Sequence, residues 1–309
     1  MAEGAGILVG TADGLHRVGD GGGVELAGHR VTALAGLRGA NAVAGSDGEW
    51  VALLDGRSVW LGDGRGSWEE VAALEGPPAT CLVRVPDGTL VGTAEAHLVR
   101  VGEDGSAEIV AGFEAADGRD GWYTPWGGPP DTRSLAVAPD GALFANVHVG
   151  GILRSTDGGD TWAPTIDVDT DVHQVLAPGG PVLAASAYGL GESLDGGLTW
   201  DLVTDGLHAT YLRAVARVGD DVLVSASAGP GGDRSALYRR AGGTGPFERC
   251  RHGLPEWLGG NVDTGWLAAA GPRAAFATAD GTVYAASDGG RTWDAVTRGL
   301  PRVTCLALT

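Results

Sequence analysis

The sequence predicts an all-β fold, a closed ring of seven four-stranded blades forming a β-propeller, and three observations carry that prediction. An eight-residue phrase recurs: residues 155–162 read S-T-D-G-G-D-T-W, residues 193–200 read S-L-D-G-G-L-T-W, and residues 286–293 read A-S-D-G-G-R-T-W. Around each copy the chain repeats a larger unit of four short apolar runs separated by turn residues, the pattern of one antiparallel blade. The last run, residues 302–308 (R-V-T-C-L-A-L), matches residues 30–36 (R-V-T-A-L-A-G), while the N-terminal unit lacks an opening run of its own.

Taken in order, the unit at residues 31–36 keeps a weakened phrase, D-G-R-G-S-W at 63–68. The next opens at Thr80 and continues through 90–93 and 98–101. A fourth opens at Arg133 and continues through 142–147 and 152–155. The fifth opens at His173 and the sixth at Tyr211, where the phrase has decayed to G-G-T-G-P-F at 242–247. The seventh runs from Thr264 to beyond Trp293. Runs 7–11 and 15–18 then need the C-terminal run as their innermost strand, so the ring closes and leaves no open edge. Seven units give about 44 residues each, within the usual blade range, in one domain spanning 1–309. One strand boundary between 38 and 56 stays open.

The repeated phrase has a local physical meaning. Asp157, Asp195 and Asp288 are expected to accept hydrogen bonds from amides ahead of them and hold a turn. The glycine pair supplies positive φ. Trp162, Trp200 and Trp293 start the outer strand and cover the hairpin. The pattern S-x-D-x-G-x-T-W resembles the Asp box, or BNR repeat, of sialidases and related propellers. The chain looks most like small bacterial BNR-like propellers labelled glycosyl hydrolases. That resemblance implies the fold and leaves the reaction open, because Asp boxes occur in enzymes and non-enzymes. True sialidases need an arginine triad and an Arg-Ile-Pro phrase near the start. The phrase is absent, so sialidase activity is not expected. Xyloglucan-cleaving relatives use two propellers, and photosystem II assembly propellers carry a targeting segment and basic patches not seen here.

Composition bounds the partners. The net charge is −18, with acidic residues along the whole chain, which disfavours nucleic acid and anionic membranes. No run is long enough to span a membrane and no signal region opens the sequence, so a cytoplasmic protein is expected. Three cysteines fit a reducing compartment. Cys81 and Cys305 fall at matching positions of non-adjacent blades and read as small core residues. Cys250 precedes Arg251 and His252, which could lower its thiol pKa.

Function is read from which face carries the unusual residues. The Asp boxes sit on the face of the A-to-B and C-to-D turns. The opposite face receives the long insertions at 114–132 (with Trp122 and Trp126), 227–235 and 252–264 (with Trp257 and Asn261), and long loops in compact folds are commonly functional. His148, His173 and His208 lie at strand ends on that face in three consecutive blades; His29, His97 and His252 map there too. Asp131, Arg133, Asp171, Tyr211, Arg213 and Asp263 are placed near the inner-strand entrances, making a mixed acidic, basic and aromatic funnel. Asp131, Asp171 and Asp263 are candidate acid/base carboxylates, with His148 and His173 polarising or orienting. Arg133 and Arg213 would hold an anionic group, with His208, Tyr211 and Asn261 on the rim and Trp122, Trp126 and Trp257 as stacking walls. A divalent metal on His148, His173 and His208 is a further option without a supporting spacing motif. The run Asp167, Asp169, Asp171 lacks the glycine and glutamate of a calcium loop and reads as solvated. The expected function is a hydrolase or lyase for a small polar or sugar-like substrate. The alternative is a non-catalytic propeller that presents this face to a protein partner.

Overall fold

The computed structural model describes residues 6–19, 22–36, 49–124 and 126–309. Its 28 strands form seven four-stranded antiparallel sheets, each running from an inner to an outer strand. The inner strands of blades one to seven are Val303–Leu308, Val31–Gly36, Ala79–Val85, Thr132–Val137, Val172–Leu176, Tyr211–Val218 and Leu267–Ala270. The open boundary of the second blade resolves to a second strand at Trp50–Leu54; residues 37–48 lie outside the described residues.

The ring closes as the matching runs require. Val303–Leu308 pairs antiparallel with Ile7–Thr11, so the C-terminal strand is the innermost strand of the first blade. Gly10 is needed at this seam, because a Cβ there would lie 2.4 Å from Cys305 Sγ. Leu306 N donates to the Gly265 carbonyl at 2.9 Å, and Arg273 donates to the Thr309 carbonyl at 2.6 Å, tying the strand to the seventh blade.

Alternation of side chains across each strand sends one set of apolar residues to each neighbouring blade. Among the described residues the core divides into seven apolar clusters, each shared by two adjacent blades. Phe276 illustrates the packing: it stacks on Tyr284 and meets Trp293 edge-on, each at 5.0 Å between centroids. Burying such a side chain is worth about 1.5–3 kcal/mol, so no single interface holds the ring.

The repeated turns behave as the phrase predicts. Ser155 Oγ donates to Asp157 Oδ1 (2.7 Å) and accepts from Gly159 N (2.9 Å). Asp157 also accepts from Thr161 N at 3.0 Å and from its hydroxyl at 2.5 Å. Asp195 repeats this set, and Asp288, lacking the leading serine, keeps the amide bonds from Arg291 and Thr292. Trp162 and Trp293 donate to the carbonyl of the second glycine of their turns, whereas Trp200 reaches Thr165 of the preceding blade instead. These turns join third to fourth strands, which leaves the other face to the D-to-A and B-to-C connections. No helix among the described residues is long and apolar enough to cross a membrane.

Candidate functional site

Six inner strands carry a β-bulge near their start, at the loop-bearing mouth of the axial channel. The residue skipped by the pairing register is Thr304, Thr32 and Thr80 in blades one to three, and Arg133 and His173 in blades four and five. In blade six the irregularity takes up Arg213 and Ala214. Bulges re-aim side chains, and here all six fall at the mouth end of their strands. Thr304 and Thr80 donate to the carbonyls of Val31 and Thr132, each just ahead of the next blade's bulge. His173 does the same, its Nδ1 lying 2.6 Å from the Leu212 carbonyl. Half of the ring therefore carries threonine, and the other half arginine and histidine.

The seventh blade lacks the bulge and contributes a crossing segment. Thr264 Oγ1 donates to the His173 carbonyl at 3.0 Å and also reaches the Arg213 carbonyl at 3.3 Å. Below this mouth the inner strands enclose a cavity of about 650 Å³, lined among others by Arg133, Ser134, Gln174, Asp263 and Thr264.

Asp171, His148 and His173 form the centre of the polar half. Asp171 Oδ1 lies 3.2 Å from His148 Nε2, and Oδ2 lies 3.4 Å from His173 Nε2. Both imidazoles are buried, and Asp171 Oδ1 and His173 Nε2 make no aligned hydrogen bond. Burial alone would raise the Asp171 carboxyl, but the two imidazoles outweigh it and hold the group far below the ordinary carboxylate range. Burial lowers His173, Asp171 partly restores it, and the charge of Arg133 lowers it again.

Aromatic side chains flank this centre. Trp126, 73% exposed, stands 4.8 Å from the His148 ring, and Tyr211 stands 4.7 Å from the His173 ring. Arg213 is committed: its NH1 donates to both oxygens of Asp263 at 3.1 Å, and its NH2 to the Tyr211 hydroxyl at 3.3 Å. Arg133 differs. Among the described residues its guanidinium makes no hydrogen bond and meets no carboxylate at ion-pair distance, although it feels the charges of Arg213, Asp263 and Asp171. Asp131 stands at the entrance of the same strand, its carbonyl accepting from His148 N at 2.9 Å.

Other predicted residues are placed elsewhere. His208 Nδ1 pairs with the Tyr238 hydroxyl at 2.8 Å, and its ring lies between Tyr238 and Trp257. The three histidines thus do not converge, and no group of three His, Cys, Asp or Glu among the described residues could hold a metal ion. Trp257 lies under the Arg249 guanidinium, 3.9 Å from it, rather than beside Trp126. Trp122 packs on Phe113 in the core between blades three and four, because its irregular loop folds inward there. Asn261 clamps the neighbouring loop by donating to the Gly229 and Pro230 carbonyls. His252 is not at the mouth: its carbonyl accepts from Trp293 N at 3.0 Å, beside the next blade's repeated turn. Burial pushes Cys250 up to about 11 against the opposing charge of Arg239, not of the Arg251 and His252 that follow it, and pushes Cys81 and Cys305 up to about 12.

Sequence reading missed three rim residues. Tyr123 donates to Asp169 at 3.2 Å, and Tyr188 is exposed at a B-to-C turn. Thr264 crosses the mouth as described. The signal for Tyr188 was its place in a turn on the loop-bearing face.

No protein-family model matches the chain, and no curated protein matches it by sequence. Solved structures match by shape. YCF48 from Cyanidioschyzon merolae is 17% identical, with 90% of each chain covered and a TM-score of 0.63. A GH74 xyloglucanase from Xanthomonas campestris is 17% identical over 86% of this chain and 45% of its own, with a TM-score of 0.57; this chain spans less than half of it. The computationally designed protein Ika8 is 15% identical over 90% of this chain and 79% of its own, also with a TM-score of 0.57. At these identities the likeness bears on the fold alone and carries no reaction with it, and the seven blades of this β-propeller are counted from its own sheets.

Proposed function

We propose that this protein is a hydrolase or lyase acting on a small polar or sugar-like substrate, bound at the channel mouth on the face opposite the repeated turns. The observation that carries the reading is Asp171, a carboxylate held between two buried imidazoles at the mouth end of the strand Val172–Leu176. A carboxylate–imidazole cluster suits general acid/base work, the imidazole exchanging the proton and the carboxylate orienting and charging it. In hydrolysis, His148, oriented by Asp171, accepts a proton from water as the hydroxyl adds to the electrophilic carbon, and then returns a proton to the departing oxygen. In elimination, the same imidazole takes the proton from carbon and returns it to the departing oxygen. Asp131, at the adjacent strand entrance, is the second carboxylate. Asp263 acts through Arg213, which it neutralises. Trp126 and Tyr211 offer apolar faces to a ring.

The test is a turnover screen of the purified protein on small lactones, glycosides and uronate-containing sugars, with Asp171→Asn alongside. The expected result is turnover of one class, reduced by about 10²–10⁴-fold in D171N, the usual range for losing an acid/base group. No turnover, or turnover untouched in D171N, contradicts the reading.

A second reading rests on Trp126, Tyr123 and Tyr188, all exposed on this face. Aromatic side chains anchor protein interfaces, so a propeller that binds a protein partner there is the competing function. It predicts that Trp126→Ala abolishes capture of that partner while D171N does not.

A further inference from the structure

The bulge ring separates what the channel mouth needs for folding from what it holds ready for a ligand. In two of the three threonine bulges, Thr304 and Thr80, the side chain is consumed by the next blade's carbonyl. His173 is partly consumed in the same way. At Arg133 the pattern breaks: Asn146 Nδ2 meets the Val172 carbonyl of the next blade at 3.0 Å, leaving the guanidinium facing the cavity.

We propose that the ligand of this mouth carries a carboxylate and that Arg133 binds it. The proposal rests on the acid/base reading of the same mouth and names the substrate class. Arg133 is half-buried and its guanidinium lines the cavity without a counter-ion among the described residues, so an anion placed on it gains a charge-assisted pair without breaking an existing one. Arg213 is unavailable for this, because Asp263 already neutralises it through both oxygens. In the half of the mouth built by blades four to six, one guanidinium unpaired among the described residues matches one negative charge, whereas the exposed Arg302 lines the opposite half of the cavity. Asp171 and Asp263 both act electrostatically on Arg133 and would repel a second charge, which favours a carboxylate over a phosphate dianion. The planar fork of the guanidinium also fits a carboxylate bidentately. The chain as a whole, at −18, repels anions, so the attraction must be local. Arg133 and His173 occupy equivalent positions of adjacent blades. A carboxylate on Arg133 therefore leaves the body of the ligand toward His173 and Asp171, with Trp126 above.

The experiment is calorimetric titration with D-galacturonate, D-galactose and inorganic phosphate, on the wild type and on Arg133→Thr, Arg133→Lys and Arg133→Gln. Threonine is the residue that blades one to three carry at this position, so R133T fits the local backbone; R133Q keeps the side-chain length without the charge, and melting curves verify both. The expected result is that galacturonate binds at least ten-fold more tightly than galactose or phosphate. That preference is lost in R133T and R133Q and partly kept in R133K. Equal binding of galactose and galacturonate, a preference for phosphate, no binding of galacturonate, or affinity untouched in R133T each overturns the proposal. Its failure is separable from that of the acid/base reading. Galacturonate bound through Arg133, with turnover intact in D171N, sinks only the latter. A neutral lactone turned over normally by wild type and R133T, but not by D171N, with galacturonate unbound, sinks only the former.

Discussion

Asp171 Oδ2 lies 3.4 Å from Nε2 of His173, while Nδ1 of the same imidazole lies 2.6 Å from the Leu212 carbonyl. A carbonyl only accepts, so Nδ1 carries a proton, and a second proton on Nε2 makes a buried imidazolium. Burial opposes that cation, Asp171 favours it, and Arg133 opposes it. The two charged neighbours therefore pull His173 in opposite directions. Asp171→Asn should lower its pKa further, and Arg133→Thr should raise it. Titration of the imidazole C–H resonance by NMR checks both; shifts of the same sign in the two variants contradict the assignment.

Stability should follow pH with a defined sign. His173 titrates below its unfolded value, so the unfolded chain takes up the proton first as pH falls, and stability drops below pH about 6.5. His16 and His208 add to this step, because burial lowers them as well. Asp171 is depressed when folded, so its contribution is present above about pH 4 and is lost on further acidification. Melting temperatures across pH 3–8 should fall in these two windows, and D171N should weaken the lower one. A melting temperature flat between pH 7 and 5 contradicts the buried-histidine account.

Trp122 and Trp126 share one loop and should separate on mutation. Trp126→Ala removes an exposed ring beside His148 and should weaken galacturonate binding by up to about ten-fold, the worth of one aromatic contact, with melting unchanged. Trp122→Ala empties part of the core against Phe113 and should cost roughly 2–4 kcal/mol of stability, with binding unchanged in the folded protein. Denaturant unfolding and calorimetry on both variants test the contrast; reversed effects mean the loop is misread.

That pair shows where sequence reading stops. The blades were legible because Asp157, Asp195 and Asp288 mark one turn type, and because residues 302–308 repeat 30–36 in register. Strand alternation then placed Arg133, His173 and Arg213 at strand starts on the correct face. An irregular loop has no period, so nothing told Trp122, which turns inward, from Trp126, which does not. His208 and Asn261 were assigned to the correct face, but their partners Tyr238 and Gly229 come from neighbouring strands and loops that spacing alone cannot rank. The bulge was within reach, since Thr304 and Thr32 occupy the same place in the matched runs, and extending that match to Arg133 and His173 locates the ring.

Ring closure predicts a large penalty for losing the last strand. Deleting residues 302–309 removes Val303, Leu306 and Leu308 from the core between blades seven and one and exposes the Ile7–Thr11 edge. At about 1.5–3 kcal/mol per buried side chain, the loss rivals the whole stability of a typical domain. Aggregation or loss of cooperative unfolding is expected; a monomeric truncation with unchanged melting contradicts closure.

The repeated turns should be structural and nothing else. Asp195→Ala leaves the Leu198 and Thr199 amides without their acceptor and should lower the melting temperature, while galacturonate binding by the folded protein stays at the wild-type value. Loss of binding without loss of stability would reverse the assignment of the faces.

The central claim is that function belongs to the half of the mouth built by blades four to six. Amide chemical-shift mapping of the isotope-labelled protein during titration with D-galacturonate tests it most directly. The account predicts perturbations clustered around Trp126, Arg133, His148, Asp171, His173 and Tyr211, with Thr304, Thr32 and Thr80 little changed. Perturbations centred on the threonine half, on the repeated turns around Asp157, Asp195 and Asp288, or spread evenly around the ring would contradict it.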